Sequence, residues 1–173
     1  MLFRSSRNNG LGMCADAFYE IWRYSFSRNQ ALPGDFQWRA AFNGQWTNDM
    51  LVSGEQFGIG GMDSVRGFAE REIVNDVGYR GTMEIYSPDF GNKLPIAGAR
   101  TRMLLFLDWG HVARNRPGPV EQRYQDVWSY GIGLRFSRGT NMAFRIDYAA
   151  VAQPGGFESV GDLRLHASFS YIF

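Results

Sequence analysis

The chain has 173 residues, a formal charge of +1 and a single cysteine, Cys14. Near-neutral charge argues against the concentrated basic face of a nucleic-acid binder. One cysteine without metal-ligand neighbours excludes a disulfide framework, so Cys14 is read as incidental and no metal or cofactor is expected. Aromatics at 16 % and 21 glycines, with no apolar run of about 18 residues, exclude a transmembrane helix. They match a transmembrane β-barrel, whose lipid-facing and lumen-facing residues alternate along each strand.

The N-terminal segment MLFRSSRNNGLGMC lacks a continuous apolar core before a small-residue cleavage site, so no secretory signal peptide is expected. An outer-membrane protein reaches its membrane only after export. The chain is therefore either a soluble fold or the C-terminal part of something longer, and the strands favour the second.

Period-two alternation then recurs along the chain. The first strand is expected at 18–28, with Phe18, Glu20, Trp22, Tyr24 and Phe26 on one parity. After the Pro33-Gly34 turn signal, a strand at 35–47 sets Phe36, Trp38, Ala40, Phe42 and Trp46 against Gln37, Arg39, Asn43 and Gln45. A long excursion at 49–76 follows. Strands at 77–87 and 100–110 place Arg80, Thr82, Glu84 and Asp108 opposite Met83, Ile85, Leu105, Leu107 and Trp109. A second excursion, 111–126, leads to strands at 127–137, 142–151 and 163–173, with a tight Arg-Gly-Thr-Asn turn at 138–141.

Strands of roughly 10 residues cross a bilayer when tilted. A soluble barrel or sandwich alternates too, but its outward face would be richly charged. Here the polar parity is Ser, Gly, Gln and Asn with an occasional Arg or Asp, which suits a hydrated lumen, and aromatics gather near strand ends. Seven strands are too few, and odd in number, for a closed bacterial barrel. An open sheet edge in lipid is costly, so strands are expected before residue 1 or from another chain.

The excursion SGEQFGIGGMDSVRGFAER, 53–71, concentrates Gly54, Gly58, Gly60, Gly61 and Gly67 around Val65, Arg66, Gly67 and Phe68. It has no Gly-Lys-Ser/Thr ending and no helix pattern after it, so it is not a phosphate cradle. Two readings remain: a floppy extracellular loop, or a loop folded inward with Arg66 as its anchor. An inward arginine needs a carboxylate. Asp108 in FLDWG heads the candidates, with Glu84 and Asp147 on the same parity as runners-up; the alternative for Asp108 is a hydrated acid without a dedicated partner. Catalysis has little support: His111 and His166 lie far from any patterned Ser, Asp or Cys, and Ser64 lacks the Gly-x-Ser-x-Gly frame. The chain is not expected to be an enzyme.

On these residues the chain resembles the two-partner secretion transporters, the haemolysin-activator (TpsB) proteins of the POTRA-barrel translocase superfamily. SGEQFGIGGMDSVRGF, with Gly60, Gly61, Val65, Arg66, Gly67 and Phe68, resembles the loop signature. FLDWG, with Phe106, Asp108 and Gly110, resembles the Phe-x-Asp-x-Gly strand motif. SFSYIF, with Phe169, Tyr171 and Phe173, resembles an outer-membrane assembly signal. The resemblance runs from about residue 16 to the end.

It implies an all-β antiparallel barrel of sixteen strands, of which this chain would carry about seven, in the bacterial outer membrane. It further implies that the Val-Arg-Gly-Phe loop folds into the lumen, where Arg66 meets Asp108. An unfolded exoprotein of haemolysin or adhesin type would pass outward without nucleotide hydrolysis. Other expected partners are outer-membrane lipid and the barrel-assembly machinery, through the C-terminal strand. The signal peptide, plug helix, POTRA domains and roughly nine strands of that pattern are missing here, as in a truncated gene product or an excised piece. Alternatives are an assembly factor of the same superfamily or a small structural or adhesive barrel.

Overall fold

The computed structural model describes residues 18–173; Cys14 and the whole segment MLFRSSRNNGLGMC lie outside them. The strands are β1 (Trp22–Ala31), β2 (Gln37–Trp46), β3 (Phe57–Ile59), β4 (Ile73–Asn75), β5 (Val77–Tyr86), β6 (Ala99–Ala113), β7 (Tyr124–Arg138), β8 (Met142–Gln153) and β9 (Leu163–Tyr171). Seven form one antiparallel sheet in the order β1-β2-β5-β6-β7-β8-β9, and β3 pairs with β4 in a small second sheet. The first strand thus begins at Trp22 rather than residue 18. The second excursion shrinks to 114–123, because β6 and β7 run on past the alternating core of their sequences. No helix among the described residues is long and apolar enough to cross a membrane.

The two parities separate as the alternation requires. One face carries exposed Phe26, Met83, Ile85, Leu105, Ile132 and Leu165 among many others, an apolar surface far larger than a solvated sheet tolerates. The other face carries the glycine-rich excursion. That segment is not floppy: β3 and β4 close it into a hairpin-like unit through Phe57↔Asn75, Gly58↔Val74 and Ile59↔Ile73. Its apolar side chains Ile59, Val65, Phe68 and Ile73 pack on Val112, Val127 and Val151 of the sheet, all buried, with Phe57 alongside. The hydrophobic core therefore lies between the sheet and its own loop.

Alternation failed to reveal β3 and β4 because each is three residues long, too short for a period-two signal.

An aromatic row crosses the exposed face near the end with the long loops. Tyr24–Phe42, Phe42–Tyr79, Tyr79–His111 and His111–Tyr124 have ring centroids 6.0, 5.6, 5.2 and 6.0 Å apart. Such a girdle suits an interface between hydrocarbon and water. Glycines make room for it. A Cβ at Gly81 would sit 2.2 Å from Trp109 Cζ2, and one at Gly44 2.2 Å from the Tyr24 ring.

At the opposite end, Arg102 ties the β1–β2 turn to the β5–β6 link. Its Nη2 donates to Asp35 Oδ1 and Oδ2 at 2.8 and 2.9 Å, and its Nη1 to the Asp35 and Ser87 carbonyls at 2.6 and 2.7 Å. The Asp89 backbone N–H, then Arg102, hold the Asp35 carboxyl below its ordinary range. The Thr101 and Gly91 amides do the same for Asp89.

Two outcomes follow from this packing. Gly81→Ala forces a methyl into the Trp109 ring and lowers stability by about 1–3 kcal/mol, read from denaturant midpoints by tryptophan fluorescence. Gly54→Ala, with nothing within 4 Å of its Cβ, changes stability by less than about 0.5 kcal/mol. Carboxyls depressed on folding stabilise above their unfolded pKa, and that stabilisation is lost as pH falls through the folded one. Exchange of the Thr101 amide, corrected for its intrinsic rate, is therefore unchanged from pH 7 to pH 5 and accelerates below about pH 4.

Candidate functional site: an arginine anchor beneath the loop

The tip of the excursion is shaped by glycines that no other residue replaces. Gly60 has φ +110° and a Cβ there would lie 2.1 Å from the Ala69 carbonyl oxygen. Gly67 has φ +132°, and a Cβ there would lie 3.1 Å from the Ser129 side chain. These left-handed positions fold the segment on itself, with the Gly61 N–H donating to the Phe68 carbonyl at 3.1 Å. Ser64 Oγ accepts from the Gly60 N–H at 3.1 Å, which is a turn-stabilising contact and not a nucleophile's environment.

Arg66 lies at the centre of that tip and is 2 % exposed, against 0 % for Asp108 and 4 % for Glu84. Its Nε donates to Asp108 Oδ2 and its Nη2 to Asp108 Oδ1, each at 2.8 Å, a two-pronged contact. The Arg66 backbone N–H also donates to Asp108 Oδ2 at 3.0 Å. Nη1 donates to Glu84 Oε1 at 2.7 Å, and Nη2 to Thr82 Oγ1 at 3.0 Å. The Thr82 hydroxyl in turn donates to Asp108 Oδ1 at 2.5 Å. Phe106 closes one face of the guanidinium, with the ring centroid 3.5 Å from Cζ.

Strand register explains how these groups meet. Thr82 lies opposite Asp108, and Glu84 opposite Phe106, in the β5–β6 ladder. Four side chains of one parity thus frame a slot of fixed width, and the fork of an arginine matches a carboxylate there as a lysine would not. Burial pushes the Arg66 guanidinium down; the Asp108 hydrogen bond, then the charges of Asp108, Glu84 and Asp147, outweigh it and hold the group above its ordinary value.

Asp147 is placed differently. Its nearest oxygen is 3.5 Å from Arg66 Nη1, and its hydrogen bonds go to Arg135 at 2.8 and 3.1 Å and to Arg145 at 2.9 Å. Arg145 carries the network back to the loop, donating to Asp63 Oδ1 and the Met62 carbonyl, both at 2.6 Å. Alternation marked Arg145 as sharing the parity of Asp147, but nothing in its position pointed to a loop contact.

The base of the excursion has a second anchor that motif reading did not find. Asp76, 0 % exposed, accepts from the Leu51 N–H at 3.0 Å and Gln56 Nε2 at 3.2 Å on Oδ1, and from the Asn115 N–H at 2.8 Å on Oδ2. Asn115 Nδ2 reaches the Thr47 and Asp49 carbonyls, each at 2.9 Å. An acid just before the first residue of a strand was the available signal.

Gly60, Gly61, Val65, Arg66, Gly67 and Phe68 are therefore together with Phe106, Asp108 and Gly110; a Cβ at Gly110 would lie 2.6 Å from Ile59 and 3.3 Å from Val65. Phe169, Tyr171 and Phe173 are exposed, remote from this cluster, at the β9 edge and the chain end. One expectation is corrected. His111 does have an acid partner: its Nδ1 is 2.7 Å from Asp126 Oδ1, because the β6–β7 register sets the two opposite each other.

In the full-length protein, Arg66→Ala strands the buried carboxylates and costs about 3–5 kcal/mol, as does Asp108→Ala for the guanidinium. The double variant costs less than the sum, with a coupling of roughly 2 kcal/mol or more; urea unfolding checks this. Asp76→Ala loosens the loop base by about 1–3 kcal/mol and adds to Asp108→Ala with no coupling above about 0.5 kcal/mol.

The chain resembles two solved structures, CdiB from Acinetobacter baumannii (24 % identity, TM-score 0.64, 88 % of this chain and 27 % of that one) and CdiB from Escherichia coli (18 %, 0.73, 93 % and 31 %). These likenesses show the fold, an antiparallel β-sheet, and the chain spans less than a third of either structure. Comparison with curated proteins returns no match. Residues 2–136, which include the loop and both residues of the Arg66–Asp108 pair, match the family of haemolysin secretion/activation proteins ShlB/FhaC/HecB. The chain belongs to that family of outer-membrane secretion transporters.

Proposed function

We propose that this chain is a component of an outer-membrane pore that passes an unfolded exoprotein of haemolysin or adhesin type to the cell surface without nucleotide hydrolysis. The observation that carries the reading is the buried Arg66–Asp108 contact, which holds a long loop against the polar face of the sheet. A loop so placed occupies the lumen once the sheet closes, and a pore that must stay sealed and still open needs such a removable obstruction.

Closure requires partners for the free edges of β1 and β9, since unpaired backbone in lipid costs several kcal/mol per group. Strands completing a sixteen-stranded barrel fill that role. The exposed apolar face is the lipid contact. Exposed Phe169, Tyr171 and Phe173 on and beyond the free edge give the barrel-assembly machinery an aromatic, unpaired strand to recognise. The chemistry needed is passage and not bond-making. Family membership also supports this reading.

The test uses the full-length protein in its own cells. Replacement by the Asp108→Asn form is expected to leave the protein folded in the outer membrane, judged by heat-modifiable gel migration. It removes one exoprotein from the medium and the cell surface about tenfold or more, as does deletion, read by quantitative proteomics. Unchanged secretion in both strains refutes the reading.

A further inference from the structure

Of the 18 cationic side chains, Lys93 is the sole lysine and the other 17 are arginines. Most arginines around the loop end on a carboxylate: Arg23 on Glu55, Arg66 on Asp108, Arg135 and Arg145 on Asp147, Arg164 on Glu158. Arg71 and Arg80 depart from this rule. Among the described residues, neither has a carboxylate within ion-pair distance, and both point at the same place.

Their geometry is that of a half-built site. Arg80 projects from β5 and donates from Nη1 to the Gly58 carbonyl at 3.2 Å, while its Nε is buried without a hydrogen-bond partner. Phe57 lies under its guanidinium, 5.8 Å from Cζ to the ring centroid. Arg71 holds φ +51° and donates from Nη2 to the Gln56 carbonyl at 3.1 Å. Its side chain runs across Gly58, with Cγ, Cζ and Nη1 at 3.1–3.2 Å from where a Cβ would be. The two cations therefore flank Gly58, each held by one carbonyl of the β3 segment. Both side chains line a cavity of about 380 Å³ together with Ser25, Asn43 and the Arg23–Glu55 pair, whose carboxylate is taken up by Arg23 at 2.7 Å.

Two like charges beside an aromatic ring and a buried strand repel, and Glu70 and Asp63 offset this for Arg80 only from beyond ion-pair distance, which leaves room for a closer anion. A carboxylate answers both, because its two oxygens accept from paired guanidinium donors. The lining hydroxyl and amide add donors for it.

We propose that Arg71 and Arg80 form an anion site that receives the carboxylate of an acidic side chain on a polypeptide lying in the lumen. This rests on the lumenal reading of the loop-bearing face given above. The polypeptide is either the exoprotein in transit or a segment of the transporter's own upstream sequence, and both present the same group.

Planar-bilayer recordings of the full-length protein separate the outcomes. The probe is a Gly-Ser peptide with spaced glutamates, and its control is the same peptide with glutamines. In the wild type the glutamate peptide blocks current with a residence time about tenfold longer than the control. If Arg71→Gln/Arg80→Gln abolishes that difference with basal conductance unchanged, the occupant is a passing chain. If it raises basal conductance before any peptide is added, the occupant is the transporter's own segment. Either result supports the site.

Unaltered basal conductance together with unaltered glutamate preference, in a variant that keeps heat-modifiable migration, overturns it. Should the double variant misfold, Arg71→Gln alone, at an exposed position, gives a partial form of the same result. Peptide block needs no secretion, so failure of the secretion assay and failure of this site are told apart.

Discussion

The structure depends on keeping one positive charge out of water. Arg66 is buried by the loop that carries it, and a lone guanidinium in that position would forfeit several kcal/mol of hydration. Asp108 removes most of the difficulty by accepting two side-chain N–H groups and the backbone N–H of the same residue. A side chain and its own main chain bound to one carboxylate fix both the orientation of the arginine and the path of the loop. Everything that packs beneath the tip, Val65 and Phe68 on Val127 and Val151, inherits its place from that contact.

The loop is held by two kinds of force with different consequences. Apolar contacts between the excursion and the sheet are non-directional and give adhesion. The polar contacts select position, and they come in separate groups: Arg66 at the tip, Arg145 at Met62 and Asp63, Asp76 at the base. Glu84 and Asp147 lie within 4 Å of the same guanidinium as Asp108. A charge surrounded by several acids can exchange partners without ever being stranded, which lowers the cost of small displacements at the tip. The base is tied to Asp76 through the Leu51 and Asn115 backbone amides and the Gln56 side chain.

Much of this architecture was legible in alternation. A period of two places Glu84, Asp108 and Asp147 on one face whatever the exact strand ends, because a one-residue error in a boundary leaves parity intact. Motif resemblance suggested that Arg66 points inward. Distances were not legible: Asp147 is nearer to Arg135 and Arg145 than to Arg66, a matter of sheet geometry across three strands that no local pattern encodes. Thr82 was visible as an inward residue, but its bridging hydroxyl was not. Asp76 and Asn115 escaped because they act through loop backbone, and His111 met Asp126 through a register that alternation leaves open. The hairpin of β3 and β4 was hidden by its shortness.

The central claim is that Asp108 holds the loop tip inside by binding Arg66. Hydrogen exchange of the full-length protein, wild type against Asp108→Asn, tests it at the bond itself. Amides of 60–68 are expected to be protected in the wild type. In the variant they should exchange about a hundredfold faster, near 3 kcal/mol, while those of the β5–β6 ladder and of Leu51 stay as they were. Equal protection of the tip in both proteins would contradict the account.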